Sequence, residues 1–149
     1  IGYHHHKYIK KEILLPLELH HTYSLLSQVD LEEVASGYYV GYKEDMKLRD
    51  FVGPSGSMVA TAEDVGIFLR ALNDGSLLSA AEQAIYSSID VYEHSGLTLG
   101  YQSIAKYHPD IDTVVIQFVN TTNFDGYTFN LSQIVYNRIV KILRNHKSA

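Results

Sequence analysis

The chain has 149 residues, 46% of them hydrophobic and 19% charged, with a formal net charge of −5. That balance fits one globular domain able to bury roughly two-thirds of its unfolded surface, and it disfavours nucleic acid as a partner, because phosphate binding needs concentrated Lys and Arg. With no cysteine, disulfides and thiolate zinc sites are excluded, and no apolar run reaches the about 18 residues of a membrane span.

In chain order, a first helix is predicted over Tyr8–Leu14, stopped by Pro16. Tyr38–Tyr42 is a weaker strand candidate, and Met46–Pro54 reads as an extended loop. Thr61-Ala-Glu-Asp64 is a capping-box-like start. Val65, Phe68, Leu69 and Leu72 then repeat at helical spacing, and Asn73-Asp-Gly75 ends the helix with a residue suited to the left-handed C′ position. Ser79-Ala-Ala-Glu82 is a capping box that opens a short helix towards Tyr86. Val91–Ser95 and Tyr101–Tyr107 are strand candidates, and Thr113–Val119 is β-branched and apolar enough for a central strand. His108-Pro-Asp110 and the residues up to Asp112 form the turn between the last two. Asn130 and Gln133 are expected to open the final helix, with Leu131, Ile134, Val135, Ile139 and Ile142 as its apolar face and Lys141, Arg144 and His146 near its negative pole. The whole predicts an α+β (mixed α/β) fold: one domain over residues 1–149, an antiparallel sheet with the C-terminal helix packed on it.

Ser103-Ile-Ala-Lys106 matches the Ser-x-x-Lys pattern of a serine nucleophile and its lysine base. The pattern works on a helix, where one turn brings the amine beside the hydroxyl. On a strand, residues i and i+3 point to opposite faces. Ser103 is therefore not read as a nucleophile. Ser55 and Ser57 in Gly53-Pro-Ser-Gly-Ser57 offer hydroxyls, but Ser57 stands where a nucleophile elbow needs its second glycine. Neighbouring residues on a helix splay by about 100°, so His4-His5-His6 is not one compact metal site. His20-His21 lacks carboxylates at ligand spacing, and no metal is expected. Lys7, Lys10 and Lys11 read as a solvated helix face.

His94-Ser95-Gly96 carries more. It resembles the Lys-Thr-Gly or His-Thr-Gly strand motif of the serine β-lactamase and penicillin-binding-protein superfamily, in its class C, D-alanyl-D-alanine peptidase and esterase-like branch. Gly100-Tyr101 follows it as in that family. Upstream, Gly53-Pro-Ser-Gly-Ser-Met-Val-Ala-Thr-Ala-Glu-Asp-Val resembles the family's glycine loop and helix start. Leu15-Pro-Leu-Glu-Leu-His-His-Thr resembles Pro-Leu-Gly-Met-x-x-Thr, with Glu18 where glycine is usual. The likeness runs over nearly the whole chain. The family's helical Ser-x-x-Lys and its Tyr-x-Asn motif, both upstream of Pro-Leu-Gly-Met, have no counterpart here. The chain is therefore expected to be the C-terminal portion of such a hydrolase, without the nucleophile segment and inactive alone.

The resemblance implies a role for each residue of the motif. The His94 side chain would face the cleft and orient substrate, and Ser95 would offer its hydroxyl to a substrate carboxylate. Gly96 would let the substrate backbone approach, and the Leu97 N–H would be one of two oxyanion-hole donors. The alternative is that His94 is a surface histidine at a strand end. The family reading implies acyl transfer on a β-lactam, a D-Ala-D-Ala peptide or an ester. It also implies no metal or organic cofactor, a small-molecule or peptide substrate, and a bacterial protein exported or tethered to the membrane. The competing class is a non-catalytic module that keeps the strand to bind peptide or cell-wall material. An uncovered sheet edge would favour a homo-oligomer or association with the missing N-terminal half.

Overall fold

The computed structural model describes residues 4–51, 56–89, 93–124 and 128–147. In chain order its elements are α1 (His5–Ile9), continued as a π-helical turn (Lys10–Leu14), then β1 (Thr22–Tyr23), β2 (Tyr38–Tyr39), β3 (Val59–Ala60), α2 (Ala62–Asp74) and α3 (Ala80–Ser88). They are followed by β4 (Glu93–Thr98), β5 (Tyr101–His108), β6 (Thr113–Val119), β7 (Thr121–Thr122) and α4 (Thr128–Lys147). The chain forms two compact units, one of residues Ile1–Val34 with Arg49–Val91, the other of Ala35–Leu48 with Tyr92–Ala149.

In the first unit the starts of α2 and α3 and the end of α2 are those the sequence predicts. Thr61 Oγ1 accepts from Asp64 N, and Gly75 closes α2 in the left-handed conformation at φ 82°. Ser79 and Glu82 make the reciprocal capping box of α3. The first helix begins at His5, three residues before the predicted Tyr8. Its end is tied back on itself: Leu19 N donates to Leu14 O at 2.8 Å, and Glu18 takes φ 55°. That turn brings the chain into β1, which pairs antiparallel with β3. Asp64, 4% exposed, accepts hydrogen bonds from His21 N and Thr22 Oγ1 and so fastens β1 to the start of α2.

The second unit is built on the antiparallel sheet β4-β5-β6. Leu99-Gly100 closes the first hairpin and a 3-10 turn, Pro109–Ile111, closes the second. The predicted strand Val91–Ser95 runs on to Thr98, and Val91 itself lies outside the described residues. Of Tyr38–Tyr42, only Tyr38–Tyr39 is strand, and it pairs in parallel with β7 rather than with a sequence neighbour. Within the predicted loop Met46–Pro54, Met46–Leu48 is a 3-10 turn.

Helix α4 packs on the sheet as expected but by a different face. It begins at Thr128, two residues before the predicted cap Asn130, and Gln133 reaches forward to Asn137 rather than back. Ser132, Tyr136 and Val140 are buried, and Leu143 extends the same stripe at i, i+4, i+8 and i+11. Tyr136 and Val140 form the core with Ile104 and Val115. The predicted face is exposed: Leu131 at 60%, Ile134 at 50%, Val135 at 42%, Ile139 at 38% and Ile142 at 57%. The reason is polar complementarity. Ser132 Oγ donates to Gln102 Oε1, Gln117 Nε2 donates to Ser132 O, and the Tyr136 hydroxyl meets both His108 Nε2 and Val115 O. Buried polar groups on the sheet need partners, and this helix face supplies them to Gln102, Gln117 and His108.

Candidate functional site

The candidate residues lie on β4, an edge strand: among the described residues it pairs with β5 alone. Its register fixes what each one faces. His94 lies opposite Ala105, Ser95 opposite Ile104, Gly96 opposite Ser103 and Leu97 opposite Gln102. Directly opposed residues point to the same side of a sheet. Ser95 and Leu97 therefore share the α4 side with Ile104 and Gln102. His94 and Gly96 point to the other side, with Ser103 and Ala105. Phe118 and Ile116 of β6 continue that side, since they oppose Ser103 and Ala105. His94, Ser95 and Leu97 are exposed and Gly96 half-buried.

The backbone follows from the hairpin. Thr98 and Tyr101 flank a two-residue loop with Gly100 at φ 85°, so they exchange the closing hydrogen bonds. Antiparallel ladders alternate hydrogen-bonded with non-bonded pairs. Gly96 and His94 thus bond inward to β5, and the N–H and C=O of Ser95 and Leu97 turn outward to the free edge. A donor at Leu97 and a donor–acceptor pair at Ser95, about 7 Å apart along the strand, suit an extended amide laid beside β4.

Ser103 is the neighbour the sequence did not connect with the motif. A Cβ placed on Gly96 would lie 2.6 Å from Ser103 Oγ, so this serine occupies the space beneath the glycine. It is on the face opposite Lys106, which opposes Val115 on the α4 side. Lys106 is therefore not its base. Only the cross-strand register, which a sequence does not display, brings Ser103 to Gly96. Ser57 is buried just before β3, and Ser55 lies outside the described residues.

The far end of the hairpin is held by a strap, residues 35–48. Gly37 N and Lys47 N donate to Asp45 Oδ1, Asn120 Nδ2 donates to Ser36 O, and the Tyr101 hydroxyl donates to Ala35 O at 2.8 Å. Burial, then the nearby Asp45 carboxylate, push the Tyr101 phenol up to about 12. Gly100 N donates to the buried Thr122 Oγ1 at 2.7 Å. The strap thereby fixes the turn from which β4 hangs. Among the described residues, no three His, Asp or Glu side chains are grouped to hold a metal ion. His4 and His6 stack on each other, 5.3 Å between ring centroids.

Helices with antiparallel sheets, an exposed motif strand at the sheet edge and a C-terminal helix on the sheet make a mixed α+β fold of the β-lactamase-like kind. No protein-family profile matches the chain, and no curated protein is similar to it in sequence. Solved structures are. A D-amino acid amidase from Ochrobactrum anthropi SV3, in complex with L-phenylalanine amide, superposes with a TM-score of 0.79 at 17% identity, covering 98% of this chain and 54% of its own. The same amidase with D-phenylalanine gives 0.67 at 19%, covering 99% and 55%. A D-stereospecific amidohydrolase from a Streptomyces species gives 0.63 at 19%, covering 80% and 45%. The chain thus spans about half the length of these structures, and at such identities the likeness concerns the fold.

Proposed function

We propose that this chain is the substrate-orienting C-terminal portion of a β-lactamase-like serine hydrolase acting on amides, with the nucleophile and its base carried by sequence outside these 149 residues. The supporting observation is the free edge of β4, where the outward Leu97 N–H and Ser95 amide group lie beside the exposed His94. The amidase likenesses favour an amide over a β-lactam or ester. In this reading a serine oxygen attacks the substrate carbonyl carbon. The Leu97 N–H and a second N–H next to that serine hold the oxyanion. Collapse breaks the C–N bond, the amine leaves with a proton, and water then cleaves the acyl ester. His94 and the Ser95 hydroxyl orient the substrate, and Gly96 keeps the approach open.

The test has two arms. The 149-residue chain, incubated with a fluorophosphonate or a fluorescent penicillin, should give no adduct by intact-protein mass spectrometry. A stoichiometric adduct lost in Ser103→Ala would overturn the assignment of the nucleophile. A product extended upstream of Ile1 should release ammonia from D-phenylalanine amide. Within it, Leu97→Pro should lower kcat by about 100- to 1,000-fold, because it deletes an oxyanion donor while sparing the bonds to β5, to which Leu97 N–H does not contribute. Unchanged turnover in Leu97→Pro would sink the proposal. An extended product that binds peptide but never acylates would favour the non-catalytic binding module.

A further inference from the structure

Lys7 and Lys10 of the first helix meet His6 and the distant His20 in one groove of the first unit. Its volume is about 430 Å³, within the size range of small-molecule sites, roughly 300–1,000 Å³. Its lining includes His6, Lys7, Lys10 and His20, the hydroxyl residues Thr22, Tyr23 and Ser24, and an apolar floor of Leu14, Leu15 and Leu19. The fold assembles it for an identifiable reason. The π-helical turn and the left-handed Glu18 reverse the chain, so that His20 and β1 return alongside the helix bearing His6, Lys7 and Lys10.

The charge distribution is one-sided. No lining residue is acidic. Glu12 is engaged with Lys11, which does not line the groove, and Asp64 is committed to His21 and Thr22. Neither Lys7 nor Lys10 makes an ion pair among the described residues. Two uncompensated ammonium groups beside a leucine floor attract an anion, and the floor rewards a ligand with an apolar body. The groove lacks arginine, so it offers no planar bidentate fork of the kind that favours phosphate. Gln28 braces the wall, its Oε1 accepting from Ser24 N and Leu25 N at 3.0 Å each.

We infer that this groove binds a small organic carboxylate with an apolar chain, its carboxylate between Lys7 and Lys10 and its chain on Leu14, Leu15 and Leu19. None of its lining residues belongs to β4, and the inference does not depend on the hydrolase reading. The probe is sodium hexanoate, titrated into the ¹⁵N-labelled 149-residue chain at low salt, with hexanamide and inorganic phosphate as controls. Hexanoate should shift the amides of residues 6–10, 14–15 and 19–24 and bind more weakly as salt rises. Lys7→Gln with Lys10→Gln should weaken it by about tenfold or more, at two exposed helix positions where folding is insensitive to the change. Lys10→Gln alone should give a smaller loss and serves if the double variant misfolds. The inference is overturned by equal binding of hexanamide, by equal binding of phosphate, by undiminished hexanoate binding in the Lys variants, or by no shifts at millimolar hexanoate.

Discussion

The two units of this chain are held together by different means. The second has a core of Ile104, Val115, Tyr136 and Val140 between a sheet and a helix, with Met46, 1% exposed, sealing the strap. The first has paired strands of two residues each and buries few large side chains, among them Leu14, Leu19 and Leu69. Its organising contact is polar, the buried Asp64 receiving two donors from the β1 strand. A packed core is disturbed by an added group as well as by a removed one, whereas a unit that rests on a hydrogen-bonded carboxylate fails chiefly when the acceptor is removed.

The largest effect should come from adding a methyl group at Gly100. Its φ is 85°, and a Cβ there would sit 2.7 Å from Met46 Cβ and 3.0 Å from the Gly37 carbonyl carbon. A left-handed side chain costs about 1–2 kcal/mol and overpacking about 1–3 kcal/mol, so Gly100→Ala should lose roughly 2–5 kcal/mol in urea denaturation. Hydrogen exchange should quicken in β4–β6 and not in α2. Equal acceleration in both would mean that the units open together.

Removal should tell in the first unit. Asp64→Ala strands the Thr22 hydroxyl and the His21 N–H, a loss of about 2–3 kcal/mol for bonds to a charged acceptor. Asp64→Asn, which keeps an acceptor oxygen, should recover part of it. Here exchange should quicken in α2 and leave β4–β6 protected. An alanine variant as stable as the parent would show that the carboxylate does not organise this unit.

How far each unit is legible in the sequence follows the same division. The β4–β6 hairpins join consecutive segments through short turns, so their local pattern suffices. The helix caps at Thr61, Gly75 and Ser79 are equally local. The face of α4 is not, because the aliphatic stripe Leu131–Ile142 outweighs Ser132 and Tyr136 until Gln102 and His108 are known to lie opposite. The same limit hides the Tyr38–Thr121 pairing, 83 residues apart, and the proximity of Ser103 to Gly96. The groove is equally hidden from local pattern, because Lys7 and His20 are brought together by a reversal at Glu18.

A smaller effect tests the strap. The Tyr101 phenol is raised from 10.0 to about 12, by burial and then by Asp45. The fold therefore favours the neutral form. Its contribution is constant below pH 10, where both folded and unfolded phenols are protonated, and declines as pH rises from 10 through 12, where the unfolded chain ionises first. The urea midpoint of the parent should fall more between about pH 9 and pH 11 than that of Tyr101→Phe, which cannot ionise there. Identical falls would mean that the other tyrosines carry the alkaline response.

The smallest effect is a gain, and it bears on the reversal that shapes the groove. Glu18 holds φ 55°, a conformation that disfavours any residue with a Cβ by about 1–2 kcal/mol and that glycine adopts freely. The Pro-Leu-Gly-Met pattern that this stretch resembles has glycine at that position. Glycine also loses more freedom on folding, about 0.5–1 kcal/mol, so Glu18→Gly should raise stability by roughly 0.5–1 kcal/mol. The side chain is exposed and does not line the groove, so hexanoate affinity at fixed ionic strength should stay close to the parent's. A loss of stability would mean that the carboxylate makes a contribution larger than the backbone strain. A gain of stability with loss of hexanoate binding would instead mean that the bend must be held by glutamate to keep His20 and β1 beside the helix.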